Sequence, residues 1–280
     1  MKISTECHDC LIRLAHQASD LATDDAGLRE DTKRAAEQMI SDKLKPGIVS
    51  VEVAEPLHRL IKKVTGNRDP YRKFKDVEID EARRLFELVK DGYKEDFVDY
   101  LKLAAQGNAM DFFRPIGELE KEFRENRLEF IIDDSSLLEG RVKSSSLILY
   151  LADNSGEIIF DMPLLNLMRR YTHAVYVVKE LPVQNDVTRE DIRKAGLQQE
   201  AGEVMTTGTA TPGVLFELAS EEFKQAFHSA DFIFAKGMGY YETLDEQPPQ
   251  GKIFFCLKAK CGPVARSLGV PLNSYVAKLH

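Results

Sequence analysis

From about residue 146 onward the chain alternates short aliphatic runs with stretches of helical periodicity, and nothing else in it restricts the fold as tightly. The runs at 146–152, 174–178, 203–206, 231–235 and 252–257 have the length and apolar character of buried strands. Between them, 156–170, 189–195, 212–228 and 263–268 read as helical. Such repetition predicts a parallel sheet covered by helices on both faces. The first half shows no strand pattern before about residue 128. Instead 10–21, 31–40, 53–64, 80–89 and 97–105 read as amphipathic helices, interrupted at Asp69-Pro70-Tyr71. The expectation is an α/β protein. An α-helical N-terminal part over 1–140 packs against a Rossmann-like, mostly parallel sheet over 141–280, with the switch in the polar stretch 140–145.

The turn after the first strand carries the densest chemistry. Leu147-Ile148-Leu149-Tyr150 leads to Asp153-Asn154 at the strand's carboxyl end, and Ser155-Gly156-Glu157 opens a helix with an acid in its first turn. Open α/β sheets bind ligands outside the carboxyl ends of their strands. After the next strand, Pro182-Val183-Gln184-Asn185-Asp186 places Asp186 at a second strand-to-helix connection. Neighbouring parallel strands lie about 4.8 Å apart, so acids leaving adjacent strand ends can share one cation. Mg²⁺ and Mn²⁺ take oxygen ligands and are typically held by one or two carboxylates plus a substrate phosphate. The competing reading is an N-capping Asp and an Asx-turn Asn, both common at strand ends.

Two later strands end in lysine: Phe234-Ala235-Lys236-Gly237, and Cys256-Leu257-Lys258 with Lys260 close behind. A lysine there can meet phosphate oxygens, and glycine lets backbone N–H groups approach an anion. Thr207-Gly208-Thr209-Ala210-Thr211-Pro212-Gly213 reads equally as an anion-binding turn or a helix cap. No Gly-x-Gly-x-x-Gly opens the first strand-helix turn, and neither a Walker-type loop nor a Gly-x-Ser-x-Gly elbow occurs. Dinucleotide dehydrogenase, Walker-type kinase and seryl hydrolase are disfavoured accordingly.

The net charge of −8 leaves no basic footprint for nucleic acid. No apolar stretch approaches the roughly 18 residues a membrane helix needs, and the first six residues lack the apolar core of a signal peptide. A cytoplasmic protein without nucleic-acid or membrane partners is expected; its oligomeric state is not legible. Four cysteines in a reducing compartment suggest metal, redox or packing roles. Cys7-His8-Asp9-Cys10 has metal-like or redox-like spacing without a second such pair. Cys261, with His16, completes a second metal or redox site only if the fold brings it near. Otherwise Cys7 and Cys10 face the core, and Cys256 reads as strand packing.

Taken together, the chain resembles the damage-control phosphatase family, in the prokaryotic branch with an N-terminal Cys-x-x-Cys. The likeness rests on Glu6-Cys7-His8-Asp9-Cys10-Leu11-Ile12-Arg13, Gly107-Asn108-Ala109-Met110-Asp111-Phe112, Ala152-Asp153-Asn154-Ser155-Gly156-Glu157-Ile158-Ile159-Phe160-Asp161, Asn185-Asp186-Val187-Thr188, Ala235-Lys236-Gly237 and Leu257-Lys258-Ala259-Lys260-Cys261, in family order over nearly the whole chain. The resemblance implies a metal-dependent phosphatase in which Asp153, Asn154 and Asp186 hold a divalent ion, Mg²⁺ or Mn²⁺, with Co²⁺ or Ni²⁺ also suitable. It implies that Lys258 and Lys236 contact the substrate phosphate and that Glu157 lies beside the reacting group. Asn108 and Asp111 would reach in from the helical half, and Ser155 and Gly208 join the substrate-binding set. One departure bears on substrate preference: the family usually places Asn where Met238-Gly239-Tyr240-Tyr241-Glu242 has Tyr240.

The leading expectation is hydrolysis of small phosphomonoesters, sugar phosphates or damaged side-product metabolites. The helix N-terminus near Gly156 is expected to share in stabilising the phosphoryl oxygens. The alternatives are a non-catalytic metal or metabolite sensor in the same pocket, and a phosphotransferase, which the missing nucleotide loop disfavours.

Overall fold

The computed structural model describes residues 2–45, 47–110, 120, 121, 123, 128–248 and 250–280. Among the described residues seven strands form one sheet: β1 (Phe130–Asp133), β2 (Leu147–Leu151), β3 (His173–Val178), β4 (Val204–Thr206), β5 (Phe232–Lys236), β6 (Ile253–Lys258) and β7 (Tyr275–Leu279). Their order is β1-β7-β6-β5-β2-β3-β4. All neighbours run parallel except β6 and β7. The five anticipated strands are present with ends moved by a residue or two. β1 and β7 are additions on the far side of β6, and β1 joins the sheet ahead of residue 140. Both are short and partly open, Ile131 being 60% exposed, so neither carries the continuous apolar run of a central strand.

Side chains alternate across the sheet with the strand period of two. Ile148, Tyr150, Phe232, Phe234, Phe254 and Cys256 face one side. They pack against α5 (Phe97–Gly107), α6 (Ser135–Ser144) and α7 (Ile158–Arg169). Leu149, Leu151, Ile233, Phe255 and Leu257 face the other, under α10 (Glu221–Ser229), α11 (Gly237–Leu244) and α12 (Gly262–Leu268). The short helices α8 (Arg189–Lys194) and α9 (Gln198–Ala201) join β3 to β4. Cys256 is fully buried in the core, as its apolar strand predicts.

The helix expected over 212–228 is a correction. Only Glu221–Ser229 is helical, started by Ser220, whose Oγ accepts from Phe223 N at 3.2 Å. Gly213 at φ +61° lies outside helical conformation. The preceding segment is a loop, and it turns Pro212 and Gly213 toward the carboxyl ends of the strands.

The N-terminal helices α1 (Glu6–Ala22), α2 (Ala26–Lys43) and α3 (Ser50–Thr65) share a small core of Leu11, Ala15, Ala18, Ala36, Ile40, Leu57 and Ile61. The fourth helix, α4 (Arg72–Val89), packs on α7 through Ile79, Ala82, Leu85, Ile159 and Phe160. No helix among the described residues is long and apolar enough to cross a membrane.

The connectivity positions the site. From β2 the chain steps to β3 and β4 on one side, then returns to β5 and β6 on the other. The crevice between the carboxyl ends of β2 and β5 is therefore the topological switch point, where open α/β sheets hold ligands.

Candidate active site

Backbone pairing beyond the sheet joins the two acidic turns. Val187 N donates to Asp153 O at 2.9 Å, Ser155 N donates to Asn185 O at 2.8 Å, and Asn154 and Asp186 form an isolated bridge. Residues 33 or fewer apart in sequence, but on different strand ends, thus line one cleft of about 250 Å³ whose wall includes Asp153, Asn154 and Asp186. The convergence expected from their placement at adjacent strand ends is present.

Two amides hold the carboxylates. Asn108 Nδ2 donates to Asp153 Oδ2 at 3.0 Å and to Glu157 Oε1 at 2.7 Å. Asn154 Nδ2 donates to the same two oxygens at 3.1 and 2.8 Å, which turns its Oδ1 elsewhere. Gly237, at φ +78°, lies against Asp153 so closely that a Cβ there would stand 1.9 Å from Oδ2. Only glycine fits.

Beneath the cleft, Lys236 is fully buried. Its Nζ lies 2.9 Å from Glu157 Oε2 and donates to Asp161 Oδ1 at 2.6 Å and Ala104 O at 2.7 Å. Asp161 also accepts from Tyr150 and Tyr176 hydroxyls at 2.7 and 2.9 Å. Burial opposes ionisation of Glu157, but Lys236 and Lys260 outweigh it and hold that carboxyl below its ordinary range. Burial likewise works against the Lys236 ammonium, and Asp161 and Glu157 more than compensate.

The cleft acids behave oppositely. Burial, then the charges of Glu157 and Asp186, push Asp153 well above a normal carboxyl. Asp186 is raised to about 6, again by burial, although Lys179 Nζ lies 3.5 Å away. Lys179 is itself buried and donates to Gly213 O at 2.6 Å and to the Tyr240 hydroxyl at 2.9 Å. Asp153, Asp186 and the Asn154 amide form a hard-oxygen set, with Lys179 and Lys260 as the neighbouring cations. A divalent cation of the Mg²⁺ or Mn²⁺ class fits that donor chemistry. Among the described residues no three His, Cys, Asp or Glu side chains form a ready cluster, so the set relies on its amide and on substrate oxygens.

Other anticipated residues take different places. Lys258 donates from its backbone N to Asn108 Oδ1 at 2.9 Å, and its ammonium lies 4.8 Å over the Tyr275 ring. The lysine of that strand end that lines the cleft is Lys260. Ser155 Oγ donates to Asn185 O at 2.9 Å. Gly208 is exposed and stands apart from the cleft, its N bonded to Thr206 Oγ1 at 3.3 Å. Asp111 lies outside the described residues. The first turn after Asn154 is a 3₁₀ turn, Ser155–Glu157, and the Gly156 backbone N–H is engaged by Glu78 rather than open to a phosphate.

Several contributors carried no motif. Leu14, Gln17, Tyr71 and Phe74 line the cleft from the helical half, beside Met110. Glu78, on α4, accepts from Asn185 Nδ2 at 3.1 Å and is raised to about 8 by burial. Cys7, Cys10 and Cys261 line a neighbouring cavity. Burial raises Cys10 against the pull of Arg13, and lifts Cys261 to about 11.

Comparison with known proteins identifies the family. Residues 3–276 match the sequence model of the damage-control phosphatase ARMT1-like domain. A damage-control phosphatase of Pyrococcus horikoshii is 37% identical over 282 residues, covering 99% of this chain and 97% of the relative. One from Archaeoglobus fulgidus is 31% identical over 287 residues, covering 100% and 99%. An uncharacterized protein of Methanocaldococcus jannaschii is 35% identical, covering 99% and 95%. A crystal structure of a DUF89-family protein from Pyrococcus horikoshii superposes with a TM-score of 0.91 at 35% identity, covering 100% and 99% of the two chains.

Proposed function

Because the chain belongs to the damage-control phosphatase ARMT1-like family, we propose that it hydrolyses small phosphomonoesters, sugar phosphates or damaged side-product metabolites, with a divalent cation held by Asp153, Asn154 and Asp186. The single observation that carries this reading is the backbone bridge between Asn154 and Asp186, which gathers two carboxylates and an amide at the carboxyl ends of β2 and β3, beside the switch point of the sheet. When bound, such an ion polarises a phosphoryl oxygen and acidifies a coordinated water.

The chain's own groups do the rest. Lys260 supplies positive charge at the cleft wall for the phosphate oxygens. Asn108 and Asn154 fix the facing oxygens of Asp153 and Glu157, so neither carboxylate reorganises as substrate arrives. Lys236 keeps Glu157 ionised from below, so Glu157 Oε1 remains the acceptor that orients the Asn108 and Asn154 amides against Asp153. A cleft of about 250 Å³ favours small esters.

The test is a panel of phosphate esters, beginning with p-nitrophenyl phosphate, assayed with Mg²⁺, Mn²⁺, Co²⁺ and Ni²⁺ for wild type and Asp153→Ala. Metal-stimulated phosphate release in the wild type, absent from the folded variant, is the expected result. Equal turnover by both proteins would contradict it.

A further inference from the structure

A second cavity, of about 450 Å³, adjoins the cleft and shares Gln184, Met238 and Lys260 with it. Its wall carries Cys7, Cys10, Cys261 and Glu242, none of which the hydrolysis derived above uses. All three thiols are free.

Their meeting is built by four elements. Cys7 and Cys10 leave the first turn of α1 three residues apart, the spacing of side-chain neighbours on a helix. Cys261 is the N-cap of α12. The two helix starts are clasped: Arg266 Nη2 donates to Glu6 Oε1 at 2.7 Å, and a Cβ on Gly262 would lie 2.6 Å from the Glu6 carboxylate. Glu242 comes from α11, and Ser50 at the start of α3 donates its hydroxyl to it. Among the described residues these donors do not already stand as a finished ligand shell. Closure needs side-chain rotation within the cavity of about 450 Å³ that all four donors line.

We propose that Cys7, Cys10 and Cys261, with Glu242 as fourth donor, bind a borderline-soft divalent cation of the zinc class. Three sulfurs and one carboxylate suit a tetrahedral ion of that kind, whereas the oxygen set of the cleft suits a hard one. The site stands independently of the phosphatase reading, but it is joined to the cleft. Lys260 directly precedes Cys261, lines both cavities, and donates its backbone N to Met238 Sδ at 3.3 Å. Ligation of Cys261 therefore fixes the backbone that presents the cleft lysine.

The probe is Co²⁺ added to full-length Asp153→Ala protein, in which the oxygen cleft has lost a ligand. One equivalent is expected to give thiolate-to-cobalt charge-transfer absorption, to be displaced by Zn²⁺, and to protect the three thiols from alkylation. Cys10→Ser and Cys261→Ser, each checked for folding by circular dichroism, should lose the band. Glu242→Gln should keep it while binding Co²⁺ roughly tenfold more weakly. A folded parent without the band, a band unchanged in both serine variants, or a Cys7–Cys10 disulfide in place of bound metal would overturn the proposal.

Discussion

Lys236 Nζ and Glu157 Oε2 lie 2.9 Å apart with neither side chain touching solvent, so the ion pair is the floor of the cleft and not part of its wall. Removing one partner from such a pair leaves an uncompensated buried charge, which costs about 3–5 kcal/mol. Lys236→Met is expected to lose stability of that order in urea unfolding and to lose most phosphate release, because Glu157 no longer stays ionised. A fully stable, fully active variant would show that the pair is ornamental.

Gly237 packs directly against the Asp153 carboxylate. Gly237→Ala places a methyl 1.9 Å from Asp153 Oδ2 at φ +78°, so Asp153 must move. Backbone strain of this type costs about 1–3 kcal/mol. Phosphate release should fall by roughly a hundredfold, the loss expected for a displacement of about 1 Å at a reacting centre. Gly140→Ala, in α6 with open space around it, should leave turnover unchanged.

Lys260→Met tests the cleft lysine against its neighbour. Loss of a charged hydrogen bond to phosphate is worth about 1.5–3 kcal/mol, or roughly a tenfold or larger drop in kcat/KM. Steady-state kinetics on one ester should show this drop at Lys260. Lys258→Met, whose ammonium rests on the Tyr275 ring, should change kcat/KM less. The reverse ranking would return the phosphate contact to Lys258.

His58 sets an acid limit on stability. It is buried in α3, and burial, aided by Lys62, drives its pKa from 6.5 down to about 3. The fold refuses a proton that the unfolded chain accepts. Stability is therefore fully present above pH 6.5 and falls as the pH drops toward 3. The slope is about 1.4 kcal/mol per pH unit. Between pH 7 and pH 5 denaturant titrations should find about 2 kcal/mol lost through this group. His58→Leu should lose correspondingly less over the same interval.

What the sequence made legible was local. Asp153-Asn154-Ser155-Gly156-Glu157 and Asp186 follow strands that announce themselves by continuous apolar runs, and both acidic turns sit where strand ends must converge. The direction of Lys236 is also set by the strand period. It is in register with Phe232 and Phe234, so the two-residue period sends it toward α5 and α7 and away from the cleft. Lys258 shares the phase of Phe254 and Cys256, whereas Lys260 stands two residues past the end of β6. Gln17, Tyr71 and Phe74 gave no signal, because their place depends on how a helical layer closes over the sheet, which no local pattern encodes. Likewise β7 is recognisable only through β6, against which it runs antiparallel.

The shared cation site at residues 153, 154 and 186 is tested most directly by calorimetric titration of Mn²⁺ into chelator-stripped wild type and Asp186→Ala, with phosphate release measured on the same samples. One bound ion restoring activity to the wild type, and neither binding nor activity in the folded variant, is the predicted result. Full hydrolysis by the stripped wild type, or undiminished metal-restored activity in Asp186→Ala, would contradict it.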